Sequence, residues 1–319
     1  MSFSILGTGS ALPARTVSND DLSEFLDTSD EWISSRTGIR TRHVLTDESL
    51  TQLAFSAAQA ALEMAHTRPE ELDCIICPTG AGDWYTPSTA CVLQKKLGAS
   101  CPAFDLNAAC SGFLYALDVA DGFFVRKKAK HILIVAVTGM SRLMNWQDRS
   151  TCVLFGDGSG AAVLGEGDAL KYIDLTAEGS LAIQIPARAG VSPYDKYPYQ
   201  SPGLWMDGKE VYRFAVRSIC NGLQKASEAT HIPLQKVDHF LLHQANQRIL
   251  NSAAKKLGIP PEKIPTTIAE TANTSGASVP ILMDREVRAG HLHRGETVML
   301  CAFGSGLTSG TAVLRWDLD

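Results

Sequence analysis

The stretch from Asp105 to Phe113, DLNAACSGF, decides how this chain is read, and Cys110 lies at its centre. Upstream is a short apolar segment, Pro102-Ala103-Phe104. Downstream, Phe113, Leu117, Ala120 and Phe124 recur at helical spacing. A strand therefore turns into a helix at the cysteine. Unpaired N–H groups and the positive end of a helix dipole there favour a thiolate, while Arg126, Lys127, Lys128 and Lys130 complement the opposite end. A free cysteine is as often a small buried hydrophobe, so local sequence leaves both readings open.

Composition narrows the choice. The chain has 319 residues, 45% apolar and 20% charged, enough for a large core. Its net charge of −5, with no long basic blocks, gives nucleic-acid binding no electrostatic support. MSFSILGTGS lacks the basic start of a signal peptide, and the strongly apolar run Ile132 to Val137 cannot span a bilayer, so a cytoplasmic protein without membrane contact is expected. Eight cysteines are too dilute for a disulfide framework. Cys74-Ile75-Ile76-Cys77 has a zinc-knuckle gap, but positions three apart on a strand face opposite sides and no second pair exists; no metal site is expected. His291-Leu292-His293 reads as a polar loop.

Taken in order, Phe3 to Gly7 predicts a strand ending in a glycine turn, followed by an acidic, capped helix holding Leu22, Phe25 and Leu26. DEWISSRTGIRTRHV gathers Trp32, Arg36, Arg40 and Arg42; on its own it reads as a solvated loop with one anchored Trp. Thr51 to Met64 and Thr89 to Leu97 predict helices. Asp73 to Pro78 and His131 to Val137 predict strands, the latter β-branched and buried on both faces. Strands alternating with helices predict an α/β fold. Phe155-Gly-Asp-Gly-Ser-Gly-Ala resembles a dinucleotide fingerprint but runs into a strand, Ala161 to Leu164, not a helix, which excludes that reading.

The sequence also repeats. Ser159-Gly-Ala-Ala-Val-Leu164 returns as Ser309-Gly-Thr-Ala-Val-Leu314, Asp73-Cys-Ile-Ile-Cys overlays Asp238-His-Phe-Leu-Leu, and Ile132 to Val137 overlays Val298 to Phe303. On that overlay Cys110 lies 37 residues past Asp73 (110 − 73) and Asn273 lies 35 past Asp238 (273 − 238), at corresponding helix starts. So long a repeat implies two packed α/β halves, 1–165 carrying the cysteine and 166–319 carrying His243 and Asn273. His243 ends the apolar strand Phe240-Leu241-Leu242, and strand ends carry chemistry in α/β folds.

These motifs carry a resemblance. DEWISSRTGIR, DLNAACSGF, DRSTCVLFGDGSGAAVL, HQANQRIL, NTSGAS and AFGSGLTSG, in order and over essentially the whole length, resemble β-ketoacyl-acyl carrier protein synthase III, a thiolase-fold condensing enzyme. The resemblance implies a thiolase-like fold with a layered α-β-α-β-α core. It implies condensation of an acyl-CoA primer with malonyl-acyl carrier protein, releasing CO2 and coenzyme A and initiating fatty acid synthesis; a related enzyme of polyketide-type metabolism is the alternative. Acyl-CoA is then a substrate and no cofactor is implied. A homodimer is.

By the same resemblance Cys110 accepts the acyl group, and His243 and Asn273 donate hydrogen bonds to the malonyl thioester carbonyl. Elongating relatives carry Cys-His-His, so Asn273 marks the initiating type. Two preorganised donors stabilise charge that appears only in the transition state. Backbone amides of Cys110 and of the 304–306 loop, at Ser305, form a second oxyanion site, although relatives often have glycine there. Trp32 and Arg149 resemble residues flanking the coenzyme A adenine, Arg36 lies near its phosphates and Asn246 matches a pantetheine contact, while Lys209 stands where many relatives carry Asn. Arg213, Arg248, Lys255 and Lys256 suit an acidic carrier protein. Thr86 aligns with a Phe that closes the acyl pocket across the dimer in several relatives, predicting room for longer primers. Two rivals remain. A papain-like hydrolase shares the order Cys, His, Asn but lacks this cysteine's surroundings and the repeat, and a non-catalytic homologue would not need an intact set.

Overall fold

The computed structural model describes residues 2–186, 194 and 203–318. The first half runs β1 (Ser2–Ala11), β2 (Arg15–Ser18), α1 (Asn19–Ser23), α2 (Asp30–Thr37), β3 (Thr41–Val44), α3 (Leu50–Met64), β4 (Cys74–Pro78), α4 (Thr89–Leu97), β5 (Ala103–Leu106), α5 (Gly112–Val125), β6 (His131–Thr138) and β7 (Gly158–Gly167). The second runs β8 (Leu170–Ala177), β9 (Ile183–Gln184), β10 (Trp205–Met206), α6 (Gly208–Thr230), β11 (His239–Leu242), α7 (Gln247–Leu257), α8 (Ile268–Thr271), α9 (Ser278–Arg288), β12 (Thr297–Gly304) and β13 (Thr308–Arg315).

Two sheets with the order β1-β7-β6-β4-β5 and β8-β13-β12-β11 make the duplication visible. In each, a parallel pair (β4 with β6, β11 with β12) continues into two antiparallel pairings. The acids used to align the halves do the same work in each. Asp73 accepts from the N–H groups of Lys130 and His131, and Asp238 from that of Thr297, so each ties the start of its strand to the neighbouring one. The central helices α5 and α9 pack between the sheets, in one apolar cluster that takes residues from both. Helix α3 covers the outer face of the first sheet, and α6 and α7 that of the second, giving the expected α-β-α-β-α layering. Ile132 to Val137 is fully buried, and each large aliphatic side chain so placed contributes about 1.5–3 kcal/mol relative to exposure.

Three local readings change. Gly7 and Gly9 lie inside β1, not in a turn. A Cβ on Gly7 would stand 2.5 Å from the Ala61 carbonyl oxygen and one on Gly9 2.2 Å from that of Ala57, so glycine lets the alanine face of α3 lie directly on the strand. Helix α1, capped by Ser18 and Asp21, is only one turn long; Leu26 beyond it is buried, but Phe25 is exposed, its ring edge-on to Trp146. The segment that reads alone as a solvated loop contains helix α2, closed by Ser29 at its N-cap and by Gly38 at φ +82° after its last turn. Cys74 faces α5 together with Ile76, and Cys77 faces α3 with Ile75, on opposite sides of β4. Among the described residues no helix is long and apolar enough to cross a membrane.

Candidate active site

Two of the catalytic candidates, Cys110 and Asn273, sit at related corners, where β5 and α8 lead into the central helices. In the first, Asn107 Oδ1 accepts from the Ala109 N–H (3.2 Å), Ala109 takes φ +47°, and a 3₁₀ turn, Ala109–Ser111, carries Cys110 into α5. In the second, Asn273 Oδ1 accepts from the Ser275 N–H (2.7 Å), Ser275 takes φ +50°, and Ser275–Ala277 leads into α9. The sequence overlay is therefore corrected at this point. Asn273 corresponds to Asn107, and the counterpart of Cys110 is Gly276, where a Cβ would meet the Ala109 carbonyl oxygen at 2.9 Å. The two corners face each other. Gly304, at the end of β12, closes on the same point, for a Cβ there would come within 2.7 Å of the Cys110 nitrogen.

Cys110, His243 and Asn273 all line one cavity of about 610 Å³. The Cys110 sulfur touches the Ser275 hydroxyl at 3.3 Å. Its expected thiolate character is not found. Burial pushes the thiol up to about 11, outweighing the Ser275 hydroxyl and the backbone hydrogen bond at Cys110, which act the other way. Cys110 is therefore a neutral thiol.

His243 follows β11, its N–H held by the Cys301 carbonyl (2.9 Å) and its ring edge-on to Phe303 at 5.0 Å. Burial lowers its pKa to about 3, so the imidazole is neutral throughout the physiological range. Ser278 fixes the tautomer. Its oxygen accepts from the Gln244 N–H (3.3 Å), and among the described residues the one acceptor for its own proton is His243 Nδ1, 2.6 Å away. Nε2 then carries the proton. Asn273 is fixed in the same sense, because Oδ1 is taken by Ser275 and its NH2 group remains to donate. The neutral histidine also sets an acid sensitivity. The unfolded chain binds its proton near the ordinary histidine value of 6.5 while the folded one resists to about 3. Stability therefore falls as pH drops through that window, by roughly 2 kcal/mol between pH 7 and pH 5. Urea midpoints at the two pH values should show this drop, and His243→Gln should remove it.

Ser305 also lines the cavity; its hydroxyl donates to the Ile183 carbonyl (2.7 Å), and its N–H has no partner among the described residues. At the other end of the cavity lie Trp32 and Arg36. The Arg36 and Arg149 guanidiniums stand 4.8 and 5.3 Å from the Trp32 ring centre, and Arg149 pairs with Asp27 at 2.9 Å. An aromatic ring sandwiched between Trp32 and Arg149 needs them roughly 7 Å apart, two van der Waals contacts, so Arg149 must swing off Trp32 before a ring enters there. Asn246 lines the cavity and caps α7, its Oδ1 accepting from the Arg248 N–H (2.8 Å), which leaves its NH2 to donate. Gly208 lines the cavity whereas the Lys209 side chain is exposed outside it. Arg213, Arg248, Lys255 and Lys256 are exposed on α6 and α7 and make no ion pair among the described residues; Lys255 and Lys256 also complement the C-terminus of α7. Thr86 is exposed and does not reach its own chain's cavity, which its neighbour Tyr85 does.

Ser275, Ser278 and Gly304 escape the sequence reading. The signal for the first two was the run NTSGAS itself, whose serines carry no meaning until the left-handed corner brings them to Cys110 and His243.

A cysteine and two neutral hydrogen-bond donors converging on an elongated cavity between two like α/β halves define a thiolase-type condensing enzyme. Comparison with known proteins agrees. The family profile "3-Oxoacyl-[acyl-carrier-protein (ACP)] synthase III" matches residues 104–179, and that of its C-terminal part matches 227–316. A beta-ketoacyl-[acyl-carrier-protein] synthase III of Clostridium acetobutylicum is 41% identical over 321 residues, 99% of each chain. The crystal structure of the Aquifex aeolicus 3-oxoacyl-[acyl-carrier-protein] synthase III superposes with a TM-score of 0.92 at 40% identity, covering 98% of this chain and 100% of that one. The priming β-ketosynthase of the R1128 polyketide pathway does so at 0.91 and 33%, covering 99% and 96%. The chain belongs to the 3-oxoacyl-[acyl-carrier-protein] synthase III family.

Proposed function

We propose that Cys110, His243 and Asn273 divide between them the family's reaction, the condensation of an acyl-CoA primer with malonyl-acyl carrier protein. The observation that carries this division is the fixing of both donors: Ser278 leaves a proton on His243 Nε2, and Ser275 leaves the Asn273 NH2 free. In the first half-reaction the Cys110 sulfur attacks the acyl-CoA carbonyl, the new C–S bond forms as the old one breaks, and the departing coenzyme A sulfur takes the proton that Cys110 gives up. In the second, the malonyl C–C bond to the carboxylate breaks and CO2 leaves. The electron pair becomes an enolate whose oxygen is held by His243 and Asn273. The enolate carbon then attacks the Cys110 thioester and expels the sulfur, which regains a proton from solution. Neutral donors suit this step, since a cationic imidazolium would pair with the substrate carboxylate and resist its loss. The amides of Cys110 and Ser305 hold the oxyanion of the acyl group.

Acyl-CoA is a substrate here, not a resident cofactor, and it enters past Trp32, Arg36 and Asn246. The exposed cations Arg213, Arg248, Lys255 and Lys256 form the surface for the acidic carrier protein. The protein works as a homodimer in which Thr86 of one subunit ends the partner's acyl pocket. The exposed Trp84 and Tyr85 beside it support that placement, as single-chain exposure of such large rings marks a contact surface. Primary fatty acid synthesis is the first reading. Priming of a polyketide is the second, favoured by the likeness to the R1128 ketosynthase.

The test is a panel of acetyl-, butyryl-, octanoyl- and dodecanoyl-CoA with malonyl carrier protein. Each additional buried methylene is worth about 0.8 kcal/mol, so specificity constants should rise severalfold beyond acetyl in the parent protein. Thr86→Phe should restore a preference for the shortest primers. A parent already confined to short primers, or a variant with an unchanged profile, removes Thr86 from the pocket.

A further inference from the structure

We propose that Ser275 is a further catalytic residue, its hydroxyl donating a hydrogen bond to the Cys110 sulfur whenever that atom carries negative charge. The proposal rests on Cys110 being the acyl acceptor. The contact is direct, 3.3 Å from Oγ to Sγ, and Ser275 is almost wholly buried where it lines the cavity. While Cys110 is a thiol, either atom of the pair can donate. Once the sulfur has lost its proton only the serine can, and its oxygen has no other partner among the described residues.

The internal duplication separates chemistry from architecture. Ala109 stands at the equivalent place in the first half, at φ +47° against +50°, with its N–H on Asn107 just as the Ser275 N–H is on Asn273. The corner therefore forms without a hydroxyl. What the hydroxyl adds is the contact to sulfur. That contact matters at two moments. When Cys110 attacks acyl-CoA, the C–S bond to Cys110 forms, the bond to coenzyme A breaks and the thiol proton passes to the departing sulfur. When the enolate carbon attacks the acyl-enzyme, a C–C bond forms and the Cys110 C–S bond breaks, returning an anionic sulfur that takes a proton from solution. In between, the thioester sulfur is neutral and a poor acceptor, so the bond favours the charged states over the resting acyl-enzyme. His243, which lines the same cavity, is neutral, and among the described residues no charged side chain shifts the Cys110 proton, which burial and its hydrogen bonds alone place.

Ser275→Ala is the variant of choice, since Ala109 already adopts this conformation. Ser275→Gly, relaxed at positive φ, guards against a folding defect. In the full chain, transfer of butyryl from butyryl-CoA to Cys110, followed by intact mass in single turnover, should slow about tenfold, the worth of one hydrogen bond to a charged group. The pH profile of Cys110 alkylation by iodoacetamide should move up by roughly one unit. Decarboxylation of malonyl carrier protein, which needs Asn273 and the retained Ser275 N–H but no sulfur anion, should stay within about twofold of the parent. Acylation and alkylation unchanged in both variants overturns the proposal. So does decarboxylation falling in step with acylation, because Ser275 would then act through Asn273. If the parent takes no acyl group on Cys110, the nucleophile assignment itself fails, and this proposal with it.

Discussion

Cys110→Ala should abolish the covalent acyl-enzyme and lower condensation by roughly 10⁴-fold or more, while malonyl carrier protein continues to lose CO2. The two activities part because the proposed division keeps them on different groups. Acyl transfer needs the sulfur at the first corner. Decarboxylation needs the proton on His243 Nε2 and the Asn273 amide, which are oriented by Ser278 and by the Ser275 N–H, neither of which depends on the Cys110 side chain. An Ala at 110 removes one sulfur atom from the cavity wall and leaves the Ala109–Ser111 turn and the Gly304 contact to its backbone unaltered. Intact-mass analysis after incubation with acyl-CoA reads the first activity, and release of CO2 from malonyl carrier protein reads the second. A mutant that still gains an acyl group carries its nucleophile elsewhere. A mutant that loses both activities shows that sulfur also takes part in decarboxylation, against the division proposed here.

The large features of this outcome were legible in the sequence because they are local or repeated. Strand Ile132 to Val137 declares itself by an unbroken apolar run rich in branched residues, and the overlay of Asp73 with Asp238 holds because both acids tie down the start of a neighbouring strand. The strand-to-helix turn at Cys110 was readable from the switch in periodicity. What failed was whatever depends on distant packing. Gly7 and Gly9 look like a turn until α3 arrives on top of them. The thiol looks activated by its helix until the second half closes over it, when burial outweighs the local hydrogen bonds. The overlay slips at the corner because a one-residue difference in loop length shifts Asn273 onto Asn107 and not onto Cys110, a register that only the paired left-handed residues Ala109 and Ser275 reveal. Arg149, set by the resemblance on one face of an adenine, lies against Trp32 and pairs with Asp27, contacts that spacing in the sequence cannot express.

Removing the Asn273 donor should cost about 10²- to 10³-fold in decarboxylation, the usual worth of one oxyanion donor, and leave acylation of Cys110 near the parent rate. Two effects compete in the simplest variant. Asn273→Ala deletes the NH2 that faces the cavity, but it also deletes the Oδ1 that holds the buried Ser275 N–H at 2.7 Å, and an orphaned buried donor costs about 1–3 kcal/mol of stability. Since Ser275 in turn touches the Cys110 sulfur, Ala can damage both half-reactions by loosening the corner. Asn273→Asp separates the effects. It keeps an acceptor for the Ser275 N–H, so the corner and acyl transfer should survive, yet it sets a carboxylate where the enolate oxygen develops, so decarboxylation should fall at least as far as in the Ala variant. His243→Ala should give a loss of the same order, and the double variant less than the product of the two, because both donors serve a single oxygen. Rates of CO2 release and of single-turnover acylation, measured on the same preparations, decide the matter. An Asp variant that decarboxylates normally would remove Asn273 from the oxyanion site, and one that acylates as poorly as it decarboxylates would make Asn273 a support of the Cys110 corner instead.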